Sequence, residues 1–535
     1  MQRKNLIISI YAILIAITTV TGYFLDHDNP IVNWDMLDVV LWLSFGVLLF
    51  FIVRFAINAF IVKVELCSAD HTKVVDNLNY KKYWIFAFVT ILTCYVIVWL
   101  AYYPGLWTYD LYQVMQVVNQ TYDCWHPLIH TLLIGGCYVL GSKISSPTLG
   151  VAIYDWIQML VMAGIFAYAC IFVLKQVKRK GAYVISIIFY AVFPFNFIMA
   201  ICSTKDVIFS GLVLLTVMFL WRYINEKPSK LVLITLFIIT PLMLLFRNNA
   251  SVAFCLFLLL ALVAVRKEMI NKRTLLLFLS FLIIYCGTNK VLKHVLDAKP
   301  VNIREMASVP STIMGRIYSS GVADDEDMER ISQYIDMNEA NYDPYIADSM
   351  KGNIYDMDSK SDLADMMLYS AKLFVKYPRT SLDSILYLHE GAWYLGDKSH
   401  AELDGVRAGR GYIQTGRADG YGIVFDSKIP FLENLLERLF SFNEYQKNPI
   451  FTVIFSPAFY NWILLACMFT FFYQRKYKEA FASSFLVCLI VTVILGPCSI
   501  IRYFYPVMVS TPVIVSWTFR KSNSKTDAHE LVSEA

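Results

Sequence analysis

The chain has 535 residues, of which 57% are hydrophobic, 15% aromatic and only 16% charged. Soluble globular domains average about 25% charged residues, so this composition excludes an ordinary water-soluble protein and predicts a polytopic membrane protein. The net charge of +4 excludes little by itself, because the side of the membrane on which charges lie matters more than their sum. A net charge this small gives no reason to expect nucleic acid as a partner.

Twelve apolar runs approach the length of about 20 residues that a membrane-spanning helix needs. The runs are residues 5–24, 36–62, 83–102, 149–174, 182–201, 207–221, 231–246, 250–265, 274–292, 451–472, 480–495 and 503–519. The first follows Arg3 and Lys4 and has no small-residue cleavage site, so we interpret it as a retained span. A thirteenth run, 128–140, is too short to cross and contains Gly135 and Gly136.

The distribution of Lys and Arg indicates whether the thirteenth run crosses the membrane. If residues 128–140 do not cross and the N-terminus is cytoplasmic, 23 cations fall in cytoplasmic segments and four in short outside loops. Those four are Lys143, Lys205, Arg247 and Arg502. A crossing would place most later basic loops outside. We therefore expect residues 128–140 to lie along the outer surface or to re-enter it, with both termini cytoplasmic in the plasma membrane.

The same sidedness divides the chain into parts. Residues 1–82 supply two spans and a cytoplasmic loop, residues 83–292 a transmembrane core with an outside loop 103–148, residues 293–450 a mostly helical extracytoplasmic domain, residues 451–519 the last spans, and residues 520–535 a cytoplasmic tail. The predicted fold is an all-α polytopic membrane protein. It has about twelve transmembrane helices, with short surface-lying helices in its first outside loop.

Several local patterns lie in the predicted extracytoplasmic domain. Residues 362–376 carry an apolar face at helical spacing, and Thr380 with Asp383 is typical of a capping box that opens a second helix. The acidic run 324–327 is typical of a solvated turn. The stretch 405–422 combines six glycines with three arginines. It is either a mobile surface loop or a lid that closes over an anionic substrate.

The first outside loop concentrates titratable and aromatic residues, which are costly at a membrane surface and usually functional. Asp110 follows a span closely, and His126 opens the short apolar run. A carboxylate there can act as a general base or as an oxygen ligand of Mg²⁺ or Mn²⁺, or it can simply favour a helix dipole. His126 is a candidate substrate contact, whereas His130, one turn later, is more typical of packing.

Three of the four outside cations lie beside polar neighbours at the ends of spans. Lys205 and Asp206 belong to the run SerThrLysAsp, Arg247 precedes two asparagines, and Arg502 precedes Tyr503. Outside cations gain nothing from topology signalling, and such groups suit a lipid-linked phosphate. The alternative is snorkelling of long side chains at span ends. Asp206 lies on the same predicted outer side as these cations. It is a candidate substrate contact or, together with Asp110, a candidate metal ligand.

These features together resemble the GT-C class of polytopic glycosyltransferases, over residues 83–292 and 450–518. The resemblance rests on an outside loop with an Asp soon after a span, the polar run 203–206 opening a later span, and a late Arg502–Tyr503 followed by Pro506. The motifs PGLWTYD…WHPLIHT and REMASVP…R (304–316) are similar to bacterial members of that class.

The resemblance implies transfer of a sugar, with inversion, from a polyprenyl-phosphate donor to an extracytoplasmic glycan, lipid or protein. Asp110 then takes the place of the first-loop catalytic residue, and Lys205, Arg247 and Arg502 contact the donor phosphate. The loop has a lone Asp110 where related enzymes carry an Asp-x-Asp pair, which leaves Mg²⁺ or Mn²⁺ dependence open.

Two other classes of function remain open. One is a transporter or flippase of lipid-linked saccharides, which usually has ionisable groups near the membrane midplane, whereas Arg54 and Asp155 fall toward the ends of their runs. The other is a scaffold whose outer domain binds a partner.

Overall fold

The computed structural model describes residues 2–69, 78–107, 112–226, 229–267, 270–355, 357, 359–396, 420–440 and 448–520. Within these residues the regular elements are helices, and extended pairing is limited to isolated bridges. The α-helices are α1 Gln2–Asp26, α2 Met36–Ala69, α3 Tyr80–Ala101, α4 Val114–Asn119, α5 Leu128–Ile144, α6 Pro147–Val177, α7 Lys180–Val192, α8 Pro194–Ala200, α9 Lys205–Asn225, α10 Lys230–Phe246, α11 Asn248–Arg266, α12 Lys272–Val295, α13 Ser308–Ser320, α14 Asp325–Tyr334, α15 Asp348–Gly352, α16 Lys360–Lys376, α17 Pro378–Leu388, α18 Glu390–Trp393, α19 Pro430–Phe440, α20 Pro449–Phe455, α21 Pro457–Tyr473, α22 Tyr477–Ile494 and α23 Ile501–Thr518. The predicted all-α class is confirmed.

Eight of the described helices are long and apolar enough to cross a membrane, and the number rises to ten if each of two bent helix pairs counts as one span. A multi-pass membrane protein is therefore the architecture that these helices support. The predicted runs 231–246 and 503–519 fall on α10, which has 17 residues, and on α23, which contains Arg502 and two prolines. The full count of twelve and the orientation in the membrane stay predictions.

Two runs that the sequence suggested as single spans are bent. Helices α7 and α8 meet at 52° and helices α20 and α21 at 63°, with Pro194 and Pro457 opening the second helix of each pair. Proline removes a backbone donor and clashes with the preceding turn, so each helix breaks there. The bends contact each other, since the rings of Phe193 and Phe455 lie 5.7 Å apart.

Helix α5 packs antiparallel along the first half of α6. The backbones touch where a Cβ on Gly141 would lie 2.1 Å from the amide nitrogen of Gly150, which explains a glycine on each helix. With 31 residues, α6 is about 46 Å long, well beyond the ~30 Å hydrocarbon core, so one end extends past it. The short helix α5 can therefore accompany this extension without crossing.

The domain formed by α13 to α18 is fixed to one end of the bundle, which we call the domain end. Asn461 and Trp462 of α21 donate to the carbonyls of Ala392 and Trp393, each at 2.8 Å. The turn between α1 and α2 binds the same domain, because the buried Asp383 carboxylate accepts from the amides of Ile31 and Val32. The predicted capping box of Thr380 and Asp383 is therefore wrong.

The helix predicted at 362–376 is confirmed as α16, whose capping box is formed by Ser359 and Asp362. The acidic run 324–327 is more than a solvated turn. Asp324 caps α14, and Asp327 accepts hydrogen bonds from Tyr369, Tyr377 and Lys376. Burial raises the pKa of the Asp327 carboxyl, but these donors outweigh burial and hold the pKa below its usual range.

Candidate functional site

Four helices begin at one place near the domain end of the bundle. They are α5, α9, α11 and α23, whose N-caps are Pro127, Thr204, Arg247 and Ile500. Each helix has 17 residues or more, so each presents the positive end of its dipole there. Convergent helix N-termini favour a bound anion.

The side chains at these four starts form one connected set, which we call the Asp206 cluster. It comprises His126, Lys205, Asp206, Arg247, Arg502 and Tyr503. The sequence analysis selected these six residues as substrate contacts from segments up to 377 positions apart. The fold brings all six together.

Asp206 lies at the centre of the cluster and is fully buried. Arg247 donates to its Oδ1, Thr204 donates to its Oδ2 at 3.3 Å, and the Nε of Arg502 lies 3.8 Å from Oδ2. The arginines are themselves only 8% and 5% exposed. Asp206 therefore holds two guanidinium groups in fixed positions, and its place in the first turn of α9 suits the helix dipole.

Tyr503 packs against both arginines. Its ring centre lies 4.5 Å from the guanidinium of Arg247 and 5.2 Å from that of Arg502. Cation–π contacts of this kind stabilise guanidinium groups in partly desolvated places.

Lys205 contacts His126 across the start of α9. The Nζ of Lys205 lies 2.9 Å from the Nδ1 of His126. The His126 residue is only 2% exposed. An ammonium group can only donate, so Nδ1 accepts, and this geometry assigns the ring proton to Nε2. The edge of the Tyr112 ring packs on the same imidazole, with centroids 5.4 Å apart.

The loop that presents Lys205 and Asp206 is held by the backbone of the first outside loop. Leu106 donates to the carbonyl of Ile201 at 2.8 Å, and Ser203 donates back to the carbonyl of Leu106 at 3.1 Å. Gln158 of α6 donates to the carbonyls of Ala200 and Cys202, which satisfies acceptors that the end of α8 leaves open.

Asp155 supports the same loop from α6, a role that the sequence analysis missed. Its Oδ1 accepts from the Ser203 hydroxyl at 3.0 Å, and a Cβ on Gly105 would lie 1.5 Å from its Oδ2. Gly105 has φ +141°, a conformation that suits glycine. A lone Asp at a predicted span end was the available signal, but its partner is 48 residues away.

His130 belongs to a buried polar layer beneath the cluster. Its Nε2 lies 2.9 Å from the Tyr154 hydroxyl, and its Nδ1 lies 3.3 Å from the side-chain nitrogen, Nε2, of Gln113. The Tyr154 hydroxyl is also 3.4 Å from the carbonyl of Thr204. The interpretation of His130 as a packing residue therefore needs refinement, because it hydrogen-bonds within the layer that carries Lys205.

The domain positions the loop before Arg502. The Nδ1 of the buried His389 lies 3.0 Å from the Ser499 hydroxyl, and the amide of Ala347 donates to the carbonyl of Pro497 at 2.9 Å. No pattern in the sequence connected residues near 389 with those near 499. The contact makes the domain part of the framework around the Asp206 cluster.

A narrow groove lies beside His126, at one side of the cluster. It runs between the start of α5, the end of α10 and the last turns of α12. Its lining includes His126, Leu245, Tyr285, Asn289 and Lys293. Tyr285, Asn289 and Lys293 are four residues apart in turn, so they lie on one face of α12. Few residues of the apolar part of α12 are buried, which places this helix at the edge of the bundle.

Asp206, one of the two predicted metal ligands, is engaged by cations. Both oxygens of Asp206 face guanidinium groups, and the positive charge of these groups disfavours a metal ion there. Among the described residues, no group of three or more His, Cys, Asp or Glu side chains is arranged for a metal. Asp110, the other predicted ligand and the predicted catalytic residue, lies outside the described residues, as does most of the glycine-rich stretch 405–422.

The electrostatic character of the cluster follows from its members. Three of its six side chains are cationic, and only Asp206 is anionic. Lys205, Arg247 and Arg502 all lie at helix starts, where a cation opposes the dipole. The set therefore attracts anions, and planar guanidinium groups are well suited to phosphate oxygens.

No curated protein and no solved structure matches this chain. Residues 123–531 match one sequence family, which is described as a family of unknown function (DUF6020). The match includes every residue of the Asp206 cluster and covers more than half of the chain. The protein therefore belongs to the DUF6020 family.

Proposed function

We propose that this protein is a membrane glycosyltransferase that moves a sugar from a polyprenyl-phosphate donor to an extracytoplasmic glycan, lipid or protein. The observation that carries the proposal is the pair of arginines on the buried Asp206. Four helix N-termini converge there, and Lys205, the residue before Asp206, adds a third cation beside His126. A leaving lipid phosphate gains negative charge as the glycosidic bond breaks, and fixed positive groups stabilise that charge. The resemblance to GT-C enzymes supplies the reaction class.

The chemistry assigns a separate task to each part of the site. Arg247 and Arg502 bind the donor phosphate, and Asp206 keeps both guanidinium groups oriented. An acceptor hydroxyl attacks the anomeric carbon, the bond from that carbon to the phosphate oxygen breaks, and the lipid phosphate leaves. Asp110 takes the hydroxyl proton as general base. His126, Lys205 and Tyr503 complete the donor side of the site.

The groove beside His126 supports a substrate that arrives from the lipid. It lies between His126 and helix α12, and Asn289 and Lys293 give it polar lining. Polar groups on a peripheral membrane helix are costly, so they usually serve a ligand or a water path. A polyprenyl phosphate suits this groove, because its charged head can contact the polar lining and its apolar tail can contact the leucines.

The proposed orientation places the domain end on the extracytoplasmic side. It follows the positive-inside distribution with about twelve spans and both termini in the cytoplasm. Engineered cysteines report on it directly. Labelling from outside is expected at the exposed Ser145 but not at the exposed Lys178, and labelling at Lys178 would overturn the orientation.

The bent helix pairs favour a second candidate, a transporter or flippase of lipid-linked saccharides. Discontinuous helices form the substrate sites of many transporters, where unwound backbone lines a cavity. Here Phe193, Phe195 and Phe455 fill the space between the two bends, with ring centroids 5.0 to 5.8 Å apart. Packed aromatic rings leave less room for a polar substrate there than the Asp206 cluster does.

The test is sugar transfer by the purified chain in lipid nanodiscs. A set of decaprenyl-phosphate sugars labelled in the sugar serves as donors, and bacterial envelope glycans and lipids serve as acceptors. We expect release of decaprenyl phosphate with label in the acceptor, and a loss of about 10²- to 10³-fold in Arg247→Gln. Arg222→Gln is the matched control, because Arg222 lies at the opposite end of α9. Movement of intact labelled donor across vesicles without transfer would favour the transporter.

A further inference from the structure

We propose that Lys205 is a positioning residue that holds His126 as a neutral imidazole with its proton on Nε2, so that His126 presents an N–H donor to an oxygen of the bound ligand. The sequence predicted a donor-phosphate contact for Lys205 and a substrate contact for His126. The structure separates their roles, because Lys205 acts on the ring of His126.

The geometry of the contact carries this inference. At 2.9 Å, the ammonium group of Lys205 and the Nδ1 of His126 share a hydrogen bond in which only lysine can donate. A proton on Nδ1 would place two donors against each other, which disfavours both imidazolium and the other tautomer. Rotation of the His126 ring away from Lys205 is hindered, since His126 is buried and its ring packs edge to face with that of Tyr112.

Other charged groups around His126 also bear on its protonation. From α9, Lys205 and the dipole at the helix start both disfavour imidazolium, while Asp206 favours it but is engaged by two arginines. From α12, Lys293 lines the same groove and disfavours it. From the loop itself, Asp123 favours it, but its carboxylate accepts from Gln116 and from the amide of Trp125.

The balance therefore lies with a neutral ring. His130 is one turn along α5, and its two nitrogens are already engaged by Tyr154 and Gln113. Asp110, the remaining acid of this loop, lies outside the described residues. A neutral Nε2–H donor differs from a cation in what it recognises, because it can orient an oxygen without adding a fourth positive charge to the cluster.

The protonation state can be measured without any substrate, so the test is independent of the proposed function. The full chain, labelled with ¹⁵N in its histidine rings, is placed in lipid nanodiscs, and ring nitrogen shifts are recorded from pH 5.5 to 8 by solid-state NMR. His126→Gln identifies the His126 signals among the eight histidines. We expect the neutral Nε2–H form at every pH in this range.

Removing the lysine gives the second part of the test. In Lys205→Met no ammonium group faces Nδ1, so we expect the Nδ1–H tautomer or the imidazolium, which the wild type lacks, to appear in the spectra. Lys205→Arg retains a donor at Nδ1 and should restore the neutral form, and Lys293→Met is the matched control that should leave the tautomer unchanged.

Two results would overturn the proposal. One is a wild-type His126 that is imidazolium at pH 6 or carries its proton on Nδ1. The other is a Lys205→Met ring that behaves as in the wild type. If Lys205→Met does not fold, the wild-type spectrum and Lys205→Arg still decide.

Discussion

Two buried carboxylates, Asp206 in the bundle and Asp327 in the domain, show how similar networks serve different purposes. Asp327 is 7% exposed and is bound by Lys376, Tyr369 and Tyr377, all from α16 or the residue after it. Its network contains two carboxylates, Asp324 and Asp327, and one lysine that is 47% exposed. Asp206 is fully buried among partners from three separate helix starts.

The difference between the two networks lies in their charge balance and their position. The network around Asp327 is short-range and not cationic, so it can be explained by the stability of the domain alone. The Asp206 cluster gathers three cations at positive helix ends, which is unfavourable for the protein by itself. Cations gathered in this way indicate that the Asp206 cluster binds a ligand, whereas the network around Asp327 stabilises the domain.

The largest effect is expected for Asp110→Asn. If Asp110 is the general base, turnover falls about 10²- to 10⁴-fold, while binding of the lipid phosphate and the folded state are retained. The measurement is single-turnover sugar transfer alongside thermal unfolding in nanodiscs. Full activity in this variant would show that the base is another residue.

Gly105→Ala tests the loop that presents the cluster. A Cβ at this position would meet Asp155 and the carbonyl of Ile201, at φ +141°. Displacing Asp155 removes the acceptor of the Ser203 hydroxyl, so we expect a loss of about 2 kcal/mol in the free energy of unfolding and reduced transfer. Gly164→Ala on α6 is the matched control, because a Cβ there has no atom within 4 Å. Equal stability of the two variants would contradict the account of this loop.

Filling the groove should weaken donor binding without affecting folding. Leu245→Trp adds bulk beside His126, and we expect KM for the lipid-phosphate donor to rise about tenfold, equivalent to about 1.4 kcal/mol. Ile234→Trp lies on the same helix, facing away from the bundle with 57% of its surface exposed, and should behave as the wild type. An unchanged KM in Leu245→Trp would mean that the donor enters elsewhere.

The smallest effect is expected in the domain network, for Asp327→Asn. Its pKa is lowered in the folded state, so its contribution to stability is fully present above the unfolded value of about 3.9 and is lost as pH falls through the lowered folded pKa. We expect the variant to lose about 1 kcal/mol at pH 7, and the difference from the wild type to shrink below pH 4. Sugar transfer at pH 7 should change little, and a large loss of transfer would assign this network a role in the site.

The sequence carried much of this account and missed specific parts of it. Composition and apolar runs predicted the all-helical membrane class, since every buried backbone group in a bilayer must be paired within helices. The scarcity of cations in the predicted outside loops selected Lys205, Arg247 and Arg502. In the structure the two arginines meet at Asp206, and Lys205, the preceding residue, contacts His126. That selection used only the positions of charges along the chain and did not depend on knowing which helices are neighbours.

The parts that were missed depend on tertiary contacts. Pro194 and Pro457 were visible inside apolar runs, but the runs were interpreted as straight spans although proline breaks a helix. Asp383 was assigned to a local capping box, whereas it binds amides 351 and 352 positions away. Asp155 and His389 lacked any local pattern, since their partners, Ser203 and Ser499, are distant in the sequence.

Binding of decaprenyl phosphate tests most directly whether the Asp206 cluster binds a lipid-linked phosphate. The wild-type chain in nanodiscs is titrated with decaprenyl phosphate and with decaprenol, which lacks the charged group. We expect the phosphate to bind at least tenfold more tightly, and Arg247→Gln combined with Arg502→Gln to abolish that preference while Arg222→Gln retains it. Equal binding of the two lipids by the wild type would contradict the account.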